Sequence, residues 1–241
     1  MISAIVLTKN EEKNIAKCIK SLLWANEIIL IDDFSADNTI SIAKKLGAKV
    51  YRRHLNNDFA AQRNFGLSKA KEEWILFIDA DEEITRELKK EILNLKLQNY
   101  SGFYLKRRDI WLRKALSYGE VGNTKLLRFA KKNSGKWNRK VHEYWHVNGN
   151  IGKLQNPILH YPHQSIKEFI ESINKYSIIH SQELKKENKK SSLVKIIFWP
   201  LGKFFVNYFL KLGFLDGVEG FIIAGVMSFH SFLSWSKAWM D

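Results

Sequence analysis

The sequence predicts an α/β fold with a mainly parallel sheet, followed by an amphipathic helical region at the C-terminus. Over about the first hundred residues, short apolar runs alternate with segments of helical periodicity, which is the pattern of βαβ units. From residue 193 onward, aromatic side chains become frequent and are interleaved with lysines. The length of 241 residues is sufficient for one α/β domain of roughly 150 to 200 residues and an additional segment.

The first predicted strands are each separated by a helical pattern. The run at 2–8 is apolar, and the helix after it places Ile15 and Ile19 on one face. The second helix stops at Gly47, which is the residue type expected just past a helix end. In this part of the chain the predicted strands are 2–8, 27–31 and 48–52, and the predicted helices are 12–23 and 37–46.

A fourth predicted strand, 74–78, is apolar throughout, which is typical of a strand buried on both faces. It lies between predicted helices at 59–70 and 85–97. From 102 to 161 the pattern changes to short strands interrupted by Gly and Asn and richer in Trp, Arg and Lys. This change indicates loops built onto the α/β half rather than further βαβ units.

The charge balance favours an anionic partner. Lys and Arg exceed Asp and Glu by 14, and the isoelectric point is near 9.7, which suits nucleic acid, phospholipid head groups or a phosphorylated substrate. Cys18 is the only cysteine, which excludes an intrachain disulfide and a cysteine-based zinc site, and we expect it to be a core thiol. The N-terminus lacks the pattern of a signal peptide, so we expect a cytoplasmic location.

The C-terminal segment has the composition of a membrane-interfacial region. It holds 12 of the 31 aromatic residues, interleaved with Lys195, Lys203 and Lys211. Aromatic rings and lysines suit the boundary between head groups and acyl chains. The 17 uncharged residues between Glu219 and Lys237 are just short of the roughly 18 to 20 that a span needs, so we expect peripheral binding to an anionic membrane surface. The alternative is an apolar face of a soluble subdomain or an oligomer contact.

Two carboxylates directly follow the apolar strand at 74–78. Ligands of open α/β sheets bind beyond the carboxyl ends of the strands, where Asp79 and Asp81 are expected to emerge. Their mutual repulsion is relieved by a hard divalent cation, and such a cation would also bind a diphosphate. This D-x-D pattern therefore predicts a site for Mg²⁺ or Mn²⁺. The structural alternative is that Asp81 only caps the helix that begins near Thr85.

Polar clusters also follow the first two strands. Asp32 and Asp33 end the second strand and can accept hydrogen bonds from a base and from ribose hydroxyls. Capping of the next helix explains Ser35 or Asp37 but does not explain this acidic pair. The chain contains no Gly-rich phosphate loop, so phosphates would be held by a metal ion and side chains. The first strand ends in a third polar cluster, Thr8, Lys9, Asn10 and Glu11.

These motifs resemble those of family 2 glycosyltransferases with the GT-A fold, and more narrowly the bacterial lipopolysaccharide core β-1,4-glucosyltransferase group. The resemblance covers the whole chain, and four ordered motifs are specific for the family but not for the sugar. The motifs are Ser3-Ala4-Ile5-Val6-Leu7-Thr8-Lys9-Asn10-Glu11, Ile31-Asp32-Asp33-Phe34-Ser35-Ala36-Asp37-Asn38-Thr39, Gln62-Arg63-Asn64-Phe65-Gly66-Leu67 and Phe77-Ile78-Asp79-Ala80-Asp81-Glu82.

The resemblance implies roles for individual residues in binding a nucleotide sugar and a metal ion. Thr8, Asp32 and Asp33 would line the nucleoside pocket, beside the polar cluster that includes Asn10 and Glu11, and Arg63 would reach the uracil or the diphosphate. Asp79 would contact the ribose and the metal ion, and Asp81 would be a metal ligand. His160 is a further candidate ligand, as is His163, although a lone histidine is more often structural.

The resemblance also implies that Glu143 is the general base. The family's commoner pattern there is an acidic pair, so His142 before Glu143 is a departure. The alternative for Glu143 is an exposed ion pair with Arg139 or Lys140. Three tryptophans between 102 and 161 could stack on sugar rings or lie in the core, namely Trp111, Trp137 and Trp145.

The domain organisation implied is a nucleotide-sugar-binding half at 1–100, an acceptor-binding half at 101–164 and a helical, membrane-interfacial region at 165–241. The function implied is an inverting, metal-dependent transfer of a hexose, most simply glucose from UDP-glucose, to a lipid-linked acceptor such as the lipopolysaccharide core, at the inner face of the cell membrane. Alternatives are a polyprenyl phosphate or peptide acceptor, an inactive nucleotide-sugar-binding scaffold, and a basic nucleic-acid-binding protein. Paired carboxylates at two strand ends argue against nucleic acid.

Overall fold

The computed structural model describes residues 1–111, 114–122, 124–140, 143–162 and 165–240. The strands are β1 (Ile2–Thr8), β2 (Glu27–Asp32), β3 (Lys49–Arg52), β4 (Trp74–Asp79), β5 (Glu82–Ile84), β6 (Gly102–Trp111), β7 (Lys114–Ala115), β8 (Lys125–Lys131), β9 (Gly135–Asn138), β10 (Tyr144–Val147) and β11 (Ile151–His160). The α-helices are α1 (Ile15–Leu22), α2 (Thr39–Lys45), α3 (Phe59–Lys69), α4 (Arg86–Leu93), α5 (Ile166–Lys186), α6 (Leu193–Phe205) and α7 (Gly217–Met240).

The main sheet has the strand order β3-β2-β1-β4-β8-β6-β11-β5. Its first four strands are parallel, and β8 runs antiparallel to both β4 and β6. Thr8 pairs with Asp32, and Leu7 pairs with Asp79, so β1, β2 and β4 end at the same edge of the sheet. The predicted α/β fold with a C-terminal helical region is therefore confirmed, and the polar strand ends come together as expected.

The segment after residue 102 forms longer strands than its pattern suggested. Both β6 and β11 have ten residues, and the charged run 106–109 lies within β6. The sequence pattern failed here because this run interrupts the apolar alternation that identifies a half-buried strand. Smaller differences are that α1 begins only at Ile15 and that α4 ends at Leu93.

Both faces of the parallel strands are covered by apolar side chains. Ala4 and Val6 of β1 belong to one buried cluster, with residues of α1 and α4, whereas Ile5 belongs to the cluster that includes residues of α3. This alternation follows from the two-residue period of a strand. Cys18 is buried in the first cluster, and burial raises the pKa of its thiol, which confirms the expected core thiol.

The chain forms two compact units. The first contains Met1–Arg107 and Lys125–His160, and the second contains Arg108–Thr124 and the chain from Tyr161 onward. The segment Arg108–Thr124, which contains the end of β6 and β7, thus belongs to the same unit as the C-terminal helices. The three-part division at 1–100, 101–164 and 165–241 stays a prediction.

Within the second unit, α7 packs against both α5 and α6. A π-helical turn, Val206–Leu210, extends α6, and a short 3-10 turn precedes α7. The buried carboxylate of Asp216 accepts backbone hydrogen bonds from Ser117 and Tyr118, and Lys114 contacts Glu219 at 2.8 Å. The unit is therefore held by apolar packing and by a small number of polar anchors.

Much of the apolar surface of the second unit is exposed. Leu193–Leu210 and Gly213–Met240 are helical segments long and apolar enough to cross a membrane, with mean hydropathies of 1.4 and 1.3. Only 11% and 28% of the most apolar 18-residue stretches of these two segments are buried within the chain. The expectation that the tail is too short for a span was wrong. It considered only the uncharged residues between Glu219 and Lys237, whereas the helix continues on both sides of that run and α6 belongs to a second long apolar segment.

Candidate functional site

The loops after β1 and β2 are tied together by hydrogen bonds. The backbone amide of Asn10 donates to Ser35 Oγ at 2.9 Å, and the backbone amide of Ala36 donates to Asn10 Oδ1 at 2.8 Å. Glu11 donates its backbone amide to Thr39 Oγ1 at 2.7 Å. Asn10 has a φ of 54°, a left-handed conformation that asparagine tolerates. Asn10 and Glu11 therefore form one wall with the polar residues that follow β2.

Asp32 and Asp33 are satisfied by different groups. Asp32 is fully buried and accepts from the backbone amide of Ser35 at 3.0 Å. Asp33 accepts from Lys9 Nζ at 2.7 Å and from the backbone amide of Leu55 at 3.0 Å. Desolvation raises the pKa of Asp33, but these hydrogen bonds outweigh it, and the pKa is lowered. Both acidic side chains thus support the loops around the strand ends.

Thr8 contributes a buried hydroxyl that has no partner. Its Oγ1 is inaccessible and makes no hydrogen bond with any residue that the structure describes. Thr8 is the last residue of β1 and lies opposite Asp32 in the sheet. Buried polar groups are normally paired, so this atom at a strand end is a candidate contact for a ligand.

The carboxylate of Asp79 is held by two arginines. Arg63 Nη2 contacts Asp79 Oδ1 at 3.0 Å, and Arg128 Nη2 contacts Oδ2 at 2.9 Å. The arginine side chains are only 3% and 8% exposed. Desolvation raises the pKa of Asp79, but the guanidinium groups of Arg128 and Arg63 outweigh it and hold this pKa far below its usual value. Asp79 is therefore an anion throughout the physiological pH range.

Arg63 also joins Asp79 to Glu143, because its Nε contacts Glu143 Oε1 at 3.1 Å. The orientation of Arg63 is set by α3, whose Asn64 exchanges two hydrogen bonds of 2.9 Å with the backbone of Trp137. The guanidinium carbon of Arg63 also lies 4.7 Å from the centroid of the Trp137 ring. The alternative for Glu143 was an exposed ion pair with Arg139 or Lys140. The structure instead shows a nearly buried ion pair with Arg63, in which the Glu143 side chain is 16% exposed.

Asp81 lies beside His160, with 3.2 Å between Asp81 Oδ2 and His160 Nε2. The alternative role of Asp81 as a helix cap is wrong, because Thr85 caps α4 by accepting from the backbone amide of Leu88 at 3.1 Å. Neighbouring Glu82 is buried and accepts the backbone amide of Asp79 at 2.9 Å. Desolvation, followed by the charge of Asp79, raises the pKa of Glu82 to about 7.

The donor set fits a hard divalent cation that also binds a substrate. Among the described residues no three His, Cys, Asp or Glu side chains are grouped as a complete metal site. Mg²⁺ commonly uses one or two carboxylates, with substrate phosphates and water completing its shell. Asp79, Asp81 and His160 could supply the protein's share of such a shell. An all-protein cage, as found in structural zinc sites, is not what these residues form.

Arg128 was missed by the sequence analysis. The available signal was a charged residue in the apolar run of β8, between Leu127 and Phe129, because a buried charge needs a partner. Of the two alternatives for Trp111, Trp137 and Trp145, a place in the core is confirmed, because their exposures are only 1%, 4% and 3%. They are core residues, and Trp137 supports the arginines. Two sequence candidates, His142 and His163, lie outside the described residues.

The fold and the grouping of acidic residues at the strand ends define a transferase with the GT-A fold. The family profile described as Glycosyl transferase family 2 matches residues 3–149, and the chain belongs to this family. An uncharacterized glycosyltransferase of Rickettsia conorii is 31% identical over 251 aligned residues, covering 98% of this chain and 89% of the relative.

Two further comparisons give the same class of protein. The lipopolysaccharide core biosynthesis glycosyltransferase LpsC of Rhizobium meliloti is 29% identical, over 98% of this chain and 91% of that protein. The crystal structure of S. aureus TarS 1-349 in complex with UDP-GlcNAc has a TM-score of 0.51 and 16% identity, covering 99% of this chain and 92% of that one. The TarS structure supports the fold, and the sequence relatives support the glycosyltransferase class.

Proposed function

We propose that this protein transfers a hexose, most simply glucose from UDP-glucose, to a lipid-linked saccharide such as the lipopolysaccharide core, with inversion at the anomeric carbon. The observation that carries the proposal is that Arg63 joins Asp79, at the end of β4, to Glu143, 64 positions later in the chain. The carboxylate that we propose binds the donor and the candidate base are both in contact with Arg63, which supports a single site. The name of LpsC supports a lipopolysaccharide acceptor.

The nucleotide part of the donor would bind at the ends of β1, β2 and β4. Thr8, with its unpaired buried hydroxyl, would contact the nucleoside beside the wall formed by Asn10 and Glu11. The remaining residues of this proposed nucleotide-sugar site are Asp32, Asp33, Arg63 and Asp79.

A divalent ion, Mg²⁺ or Mn²⁺, would be held by Asp79, Asp81 and His160. Bound there, it would neutralise the negative charge that develops on the departing diphosphate. The state of Glu11 supports a cation here. Burial raises the pKa of Glu11, and the charges of Asp81, Asp37 and Asp79 raise it further, although the hydrogen bond from Asn14 acts in the opposite direction. The acidic side chains therefore create a negative potential that a cation would relieve.

Glu143 would act as the general base. Its carboxylate would take the proton of the acceptor hydroxyl as that oxygen forms a bond to the anomeric carbon. The bond between the anomeric carbon and the diphosphate oxygen would break on the opposite side, which inverts the configuration. Arg63 would orient the carboxylate through the contact at Glu143 Oε1.

The second unit would bring the enzyme to an anionic membrane surface. Its exposed aromatic and aliphatic side chains include Phe198 and Leu201 of α6, which are 59% and 61% exposed. Each lysine near an anionic surface contributes about 1 kcal/mol, and the Lys-rich run at 185–190 adjoins these helices. A polyprenyl phosphate acceptor is the second candidate, because the helical segments Leu193–Leu210 and Gly213–Met240 are long and apolar enough to reach a lipid carrier within the bilayer.

A donor and acceptor screen tests the proposed function. The purified protein is incubated with Mg²⁺ or Mn²⁺, a panel of nucleotide sugars and either truncated lipopolysaccharide or a polyprenyl phosphate, and release of nucleoside diphosphate is followed with and without EDTA. We expect metal-dependent turnover of UDP-glucose that requires lipopolysaccharide. Turnover only with the polyprenyl phosphate would select the second candidate, and failure to bind or turn over any UDP-sugar would reject both.

A further inference from the structure

We propose that Arg128 is a positioning residue that holds Asp79 until the donor binds and then moves to the diphosphate. This inference rests on the proposed function. Its consequence is that Asp79 becomes a strong metal ligand only when the nucleotide is present, so that the metal ion and the donor bind cooperatively. The evidence lies in the hydrogen bonds of Asp79 and in the surroundings of the two arginines.

Both oxygens of Asp79 are already in use. Oδ1 accepts from Arg63 Nη2 at 3.0 Å and from Arg128 Nη1 at 3.3 Å, and Oδ2 accepts from Arg128 Nη2 at 2.9 Å. A carboxylate bound in this way by two guanidinium groups has few lone pairs left for a metal ion. In addition, a divalent cation placed beside two positive charges would be repelled by them.

Asp81 differs from Asp79 in this respect. It lies 3.2 Å from His160 and keeps 28% of its side chain exposed. A metal ion can therefore reach Asp81 directly, whereas Asp79 must first lose an arginine. The affinity of the ligand-free protein for a metal ion should accordingly be low.

Arg128 is the arginine that can leave. Arg63 is fixed by Glu143 as well as by Asp79, but every hydrogen bond that Arg128 makes within the described part of the chain goes to Asp79. The guanidinium carbon of Arg128 lies 5.6 Å from the centroid of the Trp137 ring, farther than the 4.7 Å of Arg63. The planar guanidinium group of an arginine can form paired hydrogen bonds with phosphate oxygens as readily as with carboxylate oxygens.

The exchange is balanced in charge. In the structure the Asp79 anion is paired with Arg128, whose side chain is 8% exposed. With donor and metal ion present, the Asp79 anion would be paired with the metal ion and Arg128 with the diphosphate. Neither the carboxylate nor the guanidinium group is left unpaired, and an unpaired charge in a buried site would be strongly unfavourable.

The test measures Mn²⁺ binding to the full-length protein by electron paramagnetic resonance, without donor and with UDP. Arg128→Gln should bind Mn²⁺ alone about tenfold more tightly than the wild type, because a charge-assisted interaction with Asp79 has been removed. UDP should bind the Mn²⁺-loaded variant about tenfold more weakly. The factor by which UDP strengthens Mn²⁺ binding, and the equal factor by which Mn²⁺ strengthens UDP binding, should therefore fall.

Lys131→Gln is the matched control. It removes one positive charge from the same strand, where Lys131 lies 3.8 Å from Glu73. We expect it to leave both affinities within about twofold of the wild type, because it interacts with no ligand candidate. Arg128→Lys is a second variant for the case in which Arg128→Gln does not fold. It keeps the charge but loses the paired hydrogen bonds, and it should show a smaller change in the same direction.

The outcomes separate this inference from the proposed function. If the wild type binds UDP with Mn²⁺, but neither Arg128 variant that folds binds Mn²⁺ alone more tightly, the role of Arg128 is wrong and the proposed function stands. If the same gain in Mn²⁺ affinity occurs in Lys131→Gln, the effect is general electrostatics and the inference fails. If the wild type binds no UDP with or without Mn²⁺, both the inference and the proposed function are overturned.

Discussion

At the scale of single residues, charge at the candidate site is balanced by pairs that also orient the side chains. Arg63 is the clearest case, because one guanidinium group contacts Asp79 at 3.0 Å and Glu143 at 3.1 Å. Arg63 is nearly buried, so these interactions are stronger than those of exposed ion pairs. The geometry of both acidic side chains therefore depends on α3, from which Arg63 extends.

The role of Glu143 is tested by Glu143→Gln. The amide has nearly the same shape and can still accept from Arg63, but it cannot take a proton. We expect kcat to fall by about 10²- to 10⁴-fold, while the affinity for UDP changes by less than about threefold. Steady-state kinetics and UDP titration measure the two effects.

A matched control for this variant is Glu83→Gln, which removes a carboxylate that contacts Lys17 at 2.9 Å on the same unit. Its kcat should remain near that of the wild type. Unchanged kcat in Glu143→Gln would show that another group is the base.

Asp33 is expected to make stability depend on pH. Its folded pKa is lowered, so its contribution to stability is present above the unfolded value, about 3.9, and is lost as the pH falls through the folded value. Asp33→Asn should therefore lower the free energy of unfolding by about 1 to 3 kcal/mol at pH 7 and by much less near pH 3. Urea denaturation at both pH values measures this difference, and an equal loss at both would argue against an ionic role.

At the scale of elements, the helices of the second unit differ in how much apolar surface they leave exposed. Only 11% of the segment Leu193–Leu210 is buried in the chain, which is unusual for helices that form the core of a water-soluble domain. α5 is longer and more polar than α6. Lys237 of α7 donates hydrogen bonds to Asn174 and Ser177 of α5. α5 thus connects to α7 partly by polar contacts, whereas α6 presents an apolar face.

The membrane role of α6 is tested by the double variant Phe198→Gln and Leu201→Gln. Each of these side chains would contribute roughly 1.5 to 3 kcal/mol when buried in an apolar phase. We expect binding to vesicles that contain anionic lipid to weaken by at least about tenfold, with the helical content unchanged by circular dichroism. Vesicle sedimentation measures the binding.

The control replaces two exposed apolar residues of α5, Ile170→Gln with Ile178→Gln, whose side chains are 44% and 45% exposed. This variant should bind vesicles as the wild type does. Equal loss in both double variants would mean that the whole second unit contacts lipid, and no loss in either would argue against a membrane role of α6.

At the scale of the whole molecule, the acidic site contrasts with the overall charge. The net charge is +14, yet carboxylates cluster at the ends of β1, β2 and β4. The positive surplus would favour encounter with anionic lipids and with the diphosphate of the proposed donor, and the local acidic groups would favour the proposed metal ion beside that diphosphate. A divalent ion is the simplest way to reconcile an acidic site with an anionic donor.

Ligand binding should therefore stabilise the folded protein in a metal-dependent way. With UDP and Mn²⁺ at about 100 times their Kd, the gain is about 2.7 kcal/mol, which corresponds to a rise of about 5 °C or more in Tm. Asp81→Asn should remove most of the Mn²⁺-dependent part of this rise while leaving the Tm of the ligand-free protein within about 3 °C.

Differential scanning fluorimetry with UDP alone, Mn²⁺ alone and both ligands measures these shifts. The matched control is Glu83→Gln, which also removes a carboxylate near β5 and should retain the full rise. A rise in Asp81→Asn as large as in the wild type would exclude Asp81 as a metal ligand.

The sequence by itself determined the parallel half of the fold and the positions of its acidic residues. Apolar runs bounded by Gly, Asn and Asp define strands and turns locally, and parallel strands must end at one edge of the sheet. For this reason Asp32 and Asp79 could be predicted to lie near each other. The helical character of the tail could likewise be predicted from its composition.

Only the tertiary structure decided which charges meet. The contact of Arg128 with Asp79 and that of Arg63 with Glu143 each join residues 49 or more positions apart, and no local pattern encodes such pairing. It also decided that the tryptophans are buried and that Thr85, not Asp81, caps α4. The amino-acid types determine which side chains are able to form ion pairs or to be buried. The sheet register and the positions of α3 and β8 determine which of these side chains actually meet.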